Sequence, residues 1–242
     1  MPTNQHKSKL IKKEEVAKNT FAFHFEKPED FVFTPGQYAD IALINPKESD
    51  EEGNIRTFSI ASSPSEKDLI FATRMRDTAF KRELLRMPEG TEVEIDGPFG
   101  SFILHSRSEK PAVFIVGGIG ITPFFSMLKN SVLEKPDRSF YLFYSNRSEA
   151  DAPFLKGLSE LRGKLKNFVF IPTMSNTEPG KTLWKGETGR ITGEMIKKYL
   201  LNINGPIYYL TGTPAMVADI RKLLADMNIS EDDIRFEEFA GY

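Results

Sequence analysis

A glycine-rich turn near the middle of the chain has the composition of a phosphate-binding loop. Gly117, Gly118 and Gly120 directly follow an apolar run, and Thr122-Pro123 begins the next helical pattern. Glycines let the backbone approach a pyrophosphate closely, and the amino end of a helix offers free N–H groups and the positive end of its dipole. Pro123 stands where the usual pattern has a third glycine. A tight strand-to-helix turn without a ligand is therefore the alternative interpretation.

A second motif lies in the first half of the chain, in the strand-like run Arg56-Thr57-Phe58-Ser59. Alternation along a strand places Arg56 and Phe58 on the same face. A cation beside a flat aromatic ring suits a ligand with phosphates at one end and a ring system at the other, such as a flavin nucleotide. Ser59 could donate a hydrogen bond to a ring nitrogen. A strand with one exposed arginine and one core phenylalanine is the plainer alternative.

The elements around this second motif alternate in polarity. From residue 10 to residue 104, apolar residues recur at every second position within short runs, and turn signals such as Pro35-Gly36 and Gly97-Pro98 separate these runs. The pattern predicts a small antiparallel β-barrel or sandwich. One helix, at about Ala79–Arg86, is expected to interrupt it and to turn Phe80 and Leu84 inward.

The glycine-rich turn lies in a half of the chain where continuous apolar strands alternate with helices, which predicts a parallel sheet covered on both faces. A polar segment around residues 106–111 separates the two patterns and divides the chain into domains 1–108 and 109–242. Ligands of parallel sheets bind at the carboxyl ends of the strands. The five predicted strands are Val113–Val116, Phe140–Tyr144, Phe168–Ile171, Ile207–Leu210 and Ile234–Phe236.

Composition excludes several classes of function. The 242 residues include 32 basic and 34 acidic side chains, a near balance that gives no reason to expect a nucleic acid partner. The chain has no cysteine, which excludes disulfides, thiol nucleophiles and cysteine-ligated iron–sulfur or zinc sites within it. No run approaches the roughly 18 apolar residues of a membrane span, and no signal-peptide core is present. We expect a cytoplasmic, monomeric protein without a membrane partner or a metal site.

The chain resembles the ferredoxin–NADP reductase-like flavoproteins over nearly its whole length. The family's signatures occur in order: Arg56-Thr57-Phe58-Ser59, Gly97-Pro98-Phe99-Gly100, Gly118 to Pro123, and Thr211-Gly212-Thr213-Pro214-Ala215-Met216. The resemblance implies an FAD-binding β-barrel domain followed by a nicotinamide-nucleotide α/β domain. It also implies hydride transfer from NAD(P)H to the flavin.

Residue roles follow from the same resemblance. The first motif is implied to hold FAD, with Arg56 on the pyrophosphate, Phe58 stacked on the isoalloxazine and Ser59 beside its N5 atom. Lys81 stands where the family usually has serine or threonine, and Thr211 where it commonly has cysteine. Further residues implied to contact the flavin are Thr57, Thr73, Met75, Thr78 and Lys81. Those implied to contact the nicotinamide cofactor are Gly118, Gly120, Thr122, Gly212 and Met216, with Thr211 beside the nicotinamide.

The choice of nicotinamide cofactor depends on the end of the second parallel strand. A hydroxyl and a cation, Ser145 and Arg147, follow that strand, and such a pair accommodates a 2′-phosphate. This favours NADPH. Glu149 and Asp151 lie close in sequence, which leaves NADH as the alternative.

The resemblance also implies that a C-terminal aromatic residue stacks against the flavin. Phe239 and Tyr242 are both candidates, with Glu237 or Glu238 nearby, and an ordinary last strand with a frayed tail is the alternative. The basic residues Arg74, Arg76, Lys81, Arg82 and Arg86 predict either a docking face for an acidic carrier or a merely solvated face.

The sequence thus predicts an FAD-dependent NAD(P)H oxidoreductase that passes electrons to a separate ferredoxin, flavodoxin or oxygenase component. Two other hypotheses stay open. The first is a reductase of free flavin, ferric complexes or quinones, and the second is a non-catalytic flavin-bound binding or regulatory subunit.

Overall fold

A computed structural model describes residues 5–176 and 184–239. The chain forms two compact units. The first is built from the residues up to Ile103 together with Thr122–Asn130, and the second from Leu104–Ile121 together with the residues from Ser131 onward. The predicted domain boundary between residues 108 and 109 stays a prediction.

The first unit contains a six-stranded antiparallel sheet in the order β4-β3-β6-β1-β2-β5. Its two edge strands meet where Ile60 bridges to Phe71, and the N–H of Ala61 donates to the carbonyl of Ile70 at 2.8 Å. The sheet therefore closes on itself, as the alternating pattern predicts. The strands are β1 (Gln5–Ala17), β2 (Thr20–Glu26), β3 (Tyr38–Leu43), β4 (Ile55–Ser59), β5 (Asp68–Arg74) and β6 (Glu92–Phe99).

Alternation explains the barrel interior. Along β3, Ala39, Ile41 and Leu43 are buried while the residues between them are more exposed, so one face of the strand lines the core. Helix α1 (Ala79–Arg86) begins at the N-cap Thr78, whose side chain accepts a hydrogen bond from the N–H of Lys81 at 3.3 Å. Phe80 and Leu84 of this helix join the barrel core, as predicted.

The second unit contains a parallel sheet in the order β10-β9-β8-β7-β11-β12. All five predicted strands are present, and one strand more than predicted, β10, pairs with β9 at the edge. Two residues are too few to give a periodic pattern, so the sequence could not indicate this strand. The strands are β7 (Ala112–Gly117), β8 (Phe140–Asn146), β9 (Phe168–Met174), β10 (Glu187–Thr188), β11 (Ile207–Gly212) and β12 (Ile234–Glu238).

Helices alternate with these strands, and those at Pro123 and Pro214 carry proline in the first turn, where it is tolerated. They are α2 (Thr122–Glu134), α3 (Leu155–Lys164), α4 (Gly193–Tyr199) and α5 (Pro214–Asp226). Among the described residues, none of the helices combines the length and apolar character that crossing a bilayer requires.

Helix α2 divides between the units, which the sequence did not predict. Its first nine residues cluster with the first unit, where the hydroxyl of Ser126 donates to the carbonyl of Ser62 at 2.6 Å. The ammonium of Lys129 also lies 2.5 Å from the carboxylate of Glu66. Burial lowers the pKa of Lys129, and the neighbouring Glu66 opposes that shift.

Candidate nucleotide-binding sites

The end of β4 brings the first motif to the amino end of α1. The guanidinium of Arg56 lies 5.2 Å from the centre of the Phe80 ring, and the Phe58 ring lies 6.0 Å from the same centre. The two side chains therefore share one face of β4, as predicted. Thr57 points the other way, and its hydroxyl donates a short hydrogen bond to the carboxylate of Asp40. Ser59 is buried and pairs with Tyr38 across the sheet.

Arg56 is held mainly by the loop that precedes β4. Its guanidinium lies 3.2 Å from a carboxylate oxygen of Asp50 and 2.8 Å from one of Glu52. It also donates to the carbonyls of Glu52, Gly53 and Ile55 at 2.9, 3.1 and 2.7 Å. The side chain of Arg56 is only 19% exposed, and these contacts hold it in place.

Asp50 connects Arg56 to helix α1. One carboxylate oxygen accepts from Arg56, and the other accepts from the backbone N–H of Ala79 at 3.0 Å. Partial burial would raise the pKa of Asp50, but the N–H of Ala79 and the guanidinium of Arg56 outweigh it and hold that pKa below its usual value. The carboxylate is therefore an ionised bridge at neutral pH. Sequence reasoning missed Asp50, because it lies in an acidic turn whose composition is ordinary for a solvated loop.

Lys81 lies in a cluster of cations one turn into α1. Its ammonium donates to the carbonyl of Arg74 at 2.8 Å. Burial, together with the nearby charges of Arg76 and Arg56, lowers the pKa of Lys81 to about 8. A cluster with this surplus of positive charge suits an anion with several oxygens, such as a phosphate group.

The other flavin candidates have mainly structural contacts. Thr73 is buried in β5, and the N–H of Met75 donates to the carbonyl of Asn19 at 2.7 Å while its side chain packs on the barrel core. The Thr78 hydroxyl caps α1. Their backbone atoms and positions beside Lys81 remain compatible with the predicted roles, which stay predictions.

Two residues of the predicted basic face, Arg82 and Arg86, are neutralised by carboxylates. Arg82 and Arg86 both contact the carboxylate of Glu48, at 2.7 and 2.6 Å, and Arg82 also pairs with Asp77. Of the two sequence interpretations, these pairs favour the solvated face.

In the second unit, β7 ends at the glycine-rich turn. A 3₁₀ turn over Gly118–Ile121 follows the strand, and α2 begins at Thr122. Gly118 has a φ of +54°, which an L-residue adopts only with strain. The N-cap residue Ile121 provides no side-chain cap, and no acidic residue lies in the first helical turn. A glycine-rich turn followed by a helix without a side-chain cap is therefore present, and its binding of a phosphate stays a prediction.

Two predicted motifs meet at this turn. The buried hydroxyl of Thr211, at the end of β11, donates to the carbonyl of Gly120 at 2.7 Å. A Cβ atom on Gly120 would lie 2.8 Å from that hydroxyl and 3.2 Å from the backbone nitrogen of Gly212. Met216 places its sulfur 3.0 Å from the corresponding position on Gly212. Thr211 therefore positions the glycine turn, and Gly120 is glycine because the two loops approach so closely.

The C-terminal strand reaches the same edge of the sheet. Glu237 pairs in register with Thr211, and the N–H of Phe239 donates to the carbonyl of Gly212 at 3.0 Å. Phe239 is therefore tied to the end of β11. Burial raises the pKa of Glu237 to about 7. Tyr242, the other aromatic candidate, lies outside the described residues.

The end of β8 is the place predicted to determine the choice of nicotinamide nucleotide. Ser145 is half-buried near the end of β8, and Arg147 is exposed just beyond it without an ion pair among the described residues. The carboxylate of Asp151 accepts from the Ser148 hydroxyl at 2.6 Å. Between Ser145 and Arg147, the buried amide of Asn146 has no hydrogen-bond partner in the part of the chain that the structure describes. Sequence reasoning missed Asn146, since only burial distinguishes it.

Comparison with known proteins agrees with this geometry. Residues 114–222 match the model of the oxidoreductase NAD-binding domain. The crystal structure of a ferredoxin NADP⁺ reductase from Neisseria gonorrhoeae with bound FAD and NADP superposes with a TM-score of 0.82 at 20% identity, covering 97% of this chain and 98% of that one. The chain contains an oxidoreductase NAD-binding domain and has the fold of the ferredoxin–NADP reductase-like family. Its two-sheet fold is the family's fold, which confirms the predicted fold class.

The curated relatives of this chain are longer than it is. The chain is 29% identical over 239 residues to a flavohemoprotein of Bacillus subtilis, covering 95% of this chain and 58% of the relative. It is 30% identical over 206 residues to one component of a Na⁺-translocating NADH-quinone reductase of Histophilus somni, covering 79% of this chain and 50% of the relative. The chain thus spans little more than half the length of these relatives.

The raised pKa of Glu237 predicts a pH-dependent effect on stability. A carboxyl whose folded-state pKa is raised from 4.5 to about 7 contributes stability that is full below pH 4.5 and is lost as the pH rises through 7. We expect Glu237→Gln to increase the free energy of unfolding by roughly 2 kcal/mol at about pH 8, allowing for partial exposure, and to change it little at about pH 5. Urea unfolding at both pH values measures this difference.

Glu238→Gln is the matched control, because Glu238 is the next residue along β12 and is exposed. It should leave stability unchanged at both pH values. An equal effect of the two substitutions at pH 8 would contradict the assignment of the raised pKa to Glu237.

Proposed function

We propose that the chain is an FAD-dependent oxidoreductase that accepts hydride from NAD(P)H and passes electrons to a separate carrier such as ferredoxin, flavodoxin or an oxygenase component. The observation that carries this proposal is the hydrogen bond from Thr211 to the carbonyl of Gly120. It joins the two loops proposed to bind the nucleotide, at the carboxyl ends of the adjacent strands β7 and β11, where parallel sheets bind their ligands.

The residues of the first unit fit a flavin nucleotide. Arg56, Lys81 and the first N–H groups of α1 would hold its phosphates, because they concentrate positive charge at one point. Phe58 would provide a stacking face, and Thr57, Thr73, Met75 and Thr78 would line the site. Ser59 would lie beside the reacting edge of the ring. When bound, the flavin supplies hydride acceptance and single-electron release.

The residues at the glycine-rich turn and at the carboxyl end of β11 fit a nicotinamide nucleotide. Gly118, Gly120 and Thr122 would hold the pyrophosphate, while Gly212 and Met216 would border the nicotinamide. The buried amide of Asn146, which has no hydrogen-bond partner among the described residues, would gain partners from the nucleotide, since a buried polar group without one costs about 1–3 kcal/mol. Thr211 orients the turn, Glu237 can hold a proton near neutral pH, and Phe239 or Tyr242 would cover the flavin ring.

The names of the relatives support different acceptors. The Neisseria protein is a ferredoxin reductase, the Bacillus protein is a flavohemoprotein, and the Histophilus protein is one component of a quinone reductase. Because the chain has no cysteine, it cannot itself ligate an iron–sulfur cluster through thiolates, and such a cluster would have to lie outside these residues. The Histophilus relative keeps reduction of quinones, ferric complexes or free flavin as the second candidate. Cytoplasmic location and a monomeric state remain predictions.

The test is anaerobic bleaching of the visible spectrum of the FAD-loaded chain by NADPH and, separately, by NADH. We expect rapid bleaching by at least one of the two. Bound flavin that neither nucleotide reduces would overturn the proposal and favour a non-catalytic flavin-binding role.

Arg147 is proposed to recognise the 2′-phosphate of NADPH. Because Arg147 is exposed and has no carboxylate partner among the described residues, its charge is available to a phosphate. We expect Arg147→Ala to raise KM for NADPH about tenfold and to change KM for NADH less than twofold, since a charge-assisted contact is worth roughly 1.5 kcal/mol or more. Steady-state kinetics with both nucleotides measures this effect.

Arg162→Ala, an exposed arginine in α3, is the control and should change neither constant. Equal losses with NADPH and NADH in Arg147→Ala would remove the case for 2′-phosphate recognition.

A further inference from the structure

The loop between β3 and β4 carries an acidic run that reaches the proposed flavin site. This acidic loop, residues 47–54, contains Glu48, Asp50, Glu51 and Glu52. Three of the four have specific contacts. Glu48 pairs with Arg82 and Arg86, and Asp50 and Glu52 both pair with Arg56.

The carboxylate of Asp50 binds its partners in the way that a phosphate group would. Its two oxygens divide between the guanidinium of Arg56, at 3.2 Å, and the N–H of Ala79 at the amino end of α1, at 3.0 Å. A phosphate group uses two oxygens in the same way when it joins an arginine to a helix amino end. These are the two groups that the proposed function assigns to the flavin phosphates.

We propose that Asp50 is an internal competitor of the flavin phosphates, and that it determines how tightly this chain binds its flavin. The inference rests on the proposed function, because it presumes that Arg56 and the amino end of α1 bind FAD. The guanidinium of Arg56 and the N–H of Ala79 cannot donate to the Asp50 carboxylate and to a phosphate group in the same positions at once. Flavin binding therefore requires Asp50 to move out.

The competitor also stabilises the chain before flavin binds. Arg56, Arg76 and Lys81 lie close enough for each of the two arginines to lower the pKa of the lysine. Asp50 and Glu52 offset this repulsion while the phosphate is absent. The side chain of Asp50 is 32% exposed, so its carboxylate can become hydrated again at little cost when it leaves.

This dual role gives opposite effects for one substitution. Asp50→Asn keeps the shape of the side chain but removes its charge, so it weakens the bridge. We expect at least tenfold tighter binding of FAD and, without flavin, a melting temperature a few degrees lower. If Asp50 had only a structural role, Asp50→Asn would lower the melting temperature and would leave FAD binding weaker or unchanged.

The experiment compares the full chain with Asp50→Asn and Glu51→Gln after removal of flavin, by quenching of FAD fluorescence and by thermal unfolding. Glu51→Gln is the matched control, because it removes the same charge from the same loop at an exposed residue. It should change the Kd for FAD less than twofold. Riboflavin, which has no phosphate, is the second probe, and its affinity should be unaffected by Asp50→Asn.

The outcomes separate this inference from the proposed function. If the parent chain binds FAD and NAD(P)H reduces it, but Asp50→Asn binds FAD no more tightly, the competition is overturned and the proposed function stands. An equal gain for riboflavin, or an equal gain in Glu51→Gln, also overturns the competition at the phosphate contacts. If neither the parent nor Asp50→Asn binds FAD, both proposals fail.

Discussion

Replacing Gly120 with alanine is expected to slow the reduction of bound flavin by NAD(P)H about 100-fold while FAD remains bound. The new Cβ would lie 2.8 Å from the Thr211 hydroxyl and 3.2 Å from the backbone of Gly212, so one of the two loops must move. The Thr211 side chain is short and buried, and its hydrogen bond to Gly120 would be lost. A displacement of about 1 Å at a reacting centre can cost about 100-fold in rate. Anaerobic stopped-flow absorbance measures the rate directly.

FAD content should be unchanged in this variant, because the flavin motif belongs to the first unit and the glycine turn to the second. Gly163→Ala is the matched control: Gly163 lies in α3, and an added Cβ there meets no atom within 4 Å. A normal reduction rate in Gly120→Ala, with FAD bound, would show that the turn does not position the nicotinamide nucleotide.

Arg56→Ala is expected to weaken FAD retention about 10- to 100-fold. The guanidinium is the proposed contact to the flavin pyrophosphate, and a hydrogen bond to a charged group is worth roughly 1.5–3 kcal/mol. Asp50 and Glu52 would in addition lose their shared cation, which leaves two carboxylates near the site. Both effects oppose the binding of an anion. The Kd for FAD, measured by fluorescence quenching, tests this expectation.

Arg56→Lys keeps the charge but not the planar fork, so it should fall between the parent and Arg56→Ala. Arg86→Ala removes an arginine from the far end of α1, where it pairs with Glu48, and serves as the control with unchanged affinity. Unchanged flavin retention in Arg56→Ala would count against the assignment of the first motif.

The two flavin-site substitutions are coupled if Asp50 competes with the phosphate. Asp50→Asn should gain more affinity when Arg56 is present, because the competition concerns the contacts of that guanidinium. In Arg56→Ala, the same substitution should have a smaller effect, and the difference measures the coupling between the two residues.

Local pattern was enough to predict most of the architecture. The alternation of β3 and the continuous burial of β7 each follow from side-chain period, which the chain carries within a few residues. The positions of Arg56 and Phe58 on one face, the capped helix after residue 78 and the glycine turn after β7 follow in the same way. In the parallel sheet, the two-residue strand β10 was missed, since it has no period to detect.

The contacts in the candidate sites join residues that lie far apart in the sequence. Thr211 and Gly120 are 91 residues apart, and Asp50 and Ala79 are 29 apart, so neither hydrogen bond has a local signal. The raised pKa of Glu237 and the unpaired amide of Asn146 come from burial, which is a property of the packed chain. The sequence alone determined which elements form and where the nucleotide motifs lie, because periodicity and turn chemistry are local. Only the tertiary structure decided that Thr211 bonds to the glycine turn and that Asp50 bonds to the amino end of α1, because those interactions arise between distant segments.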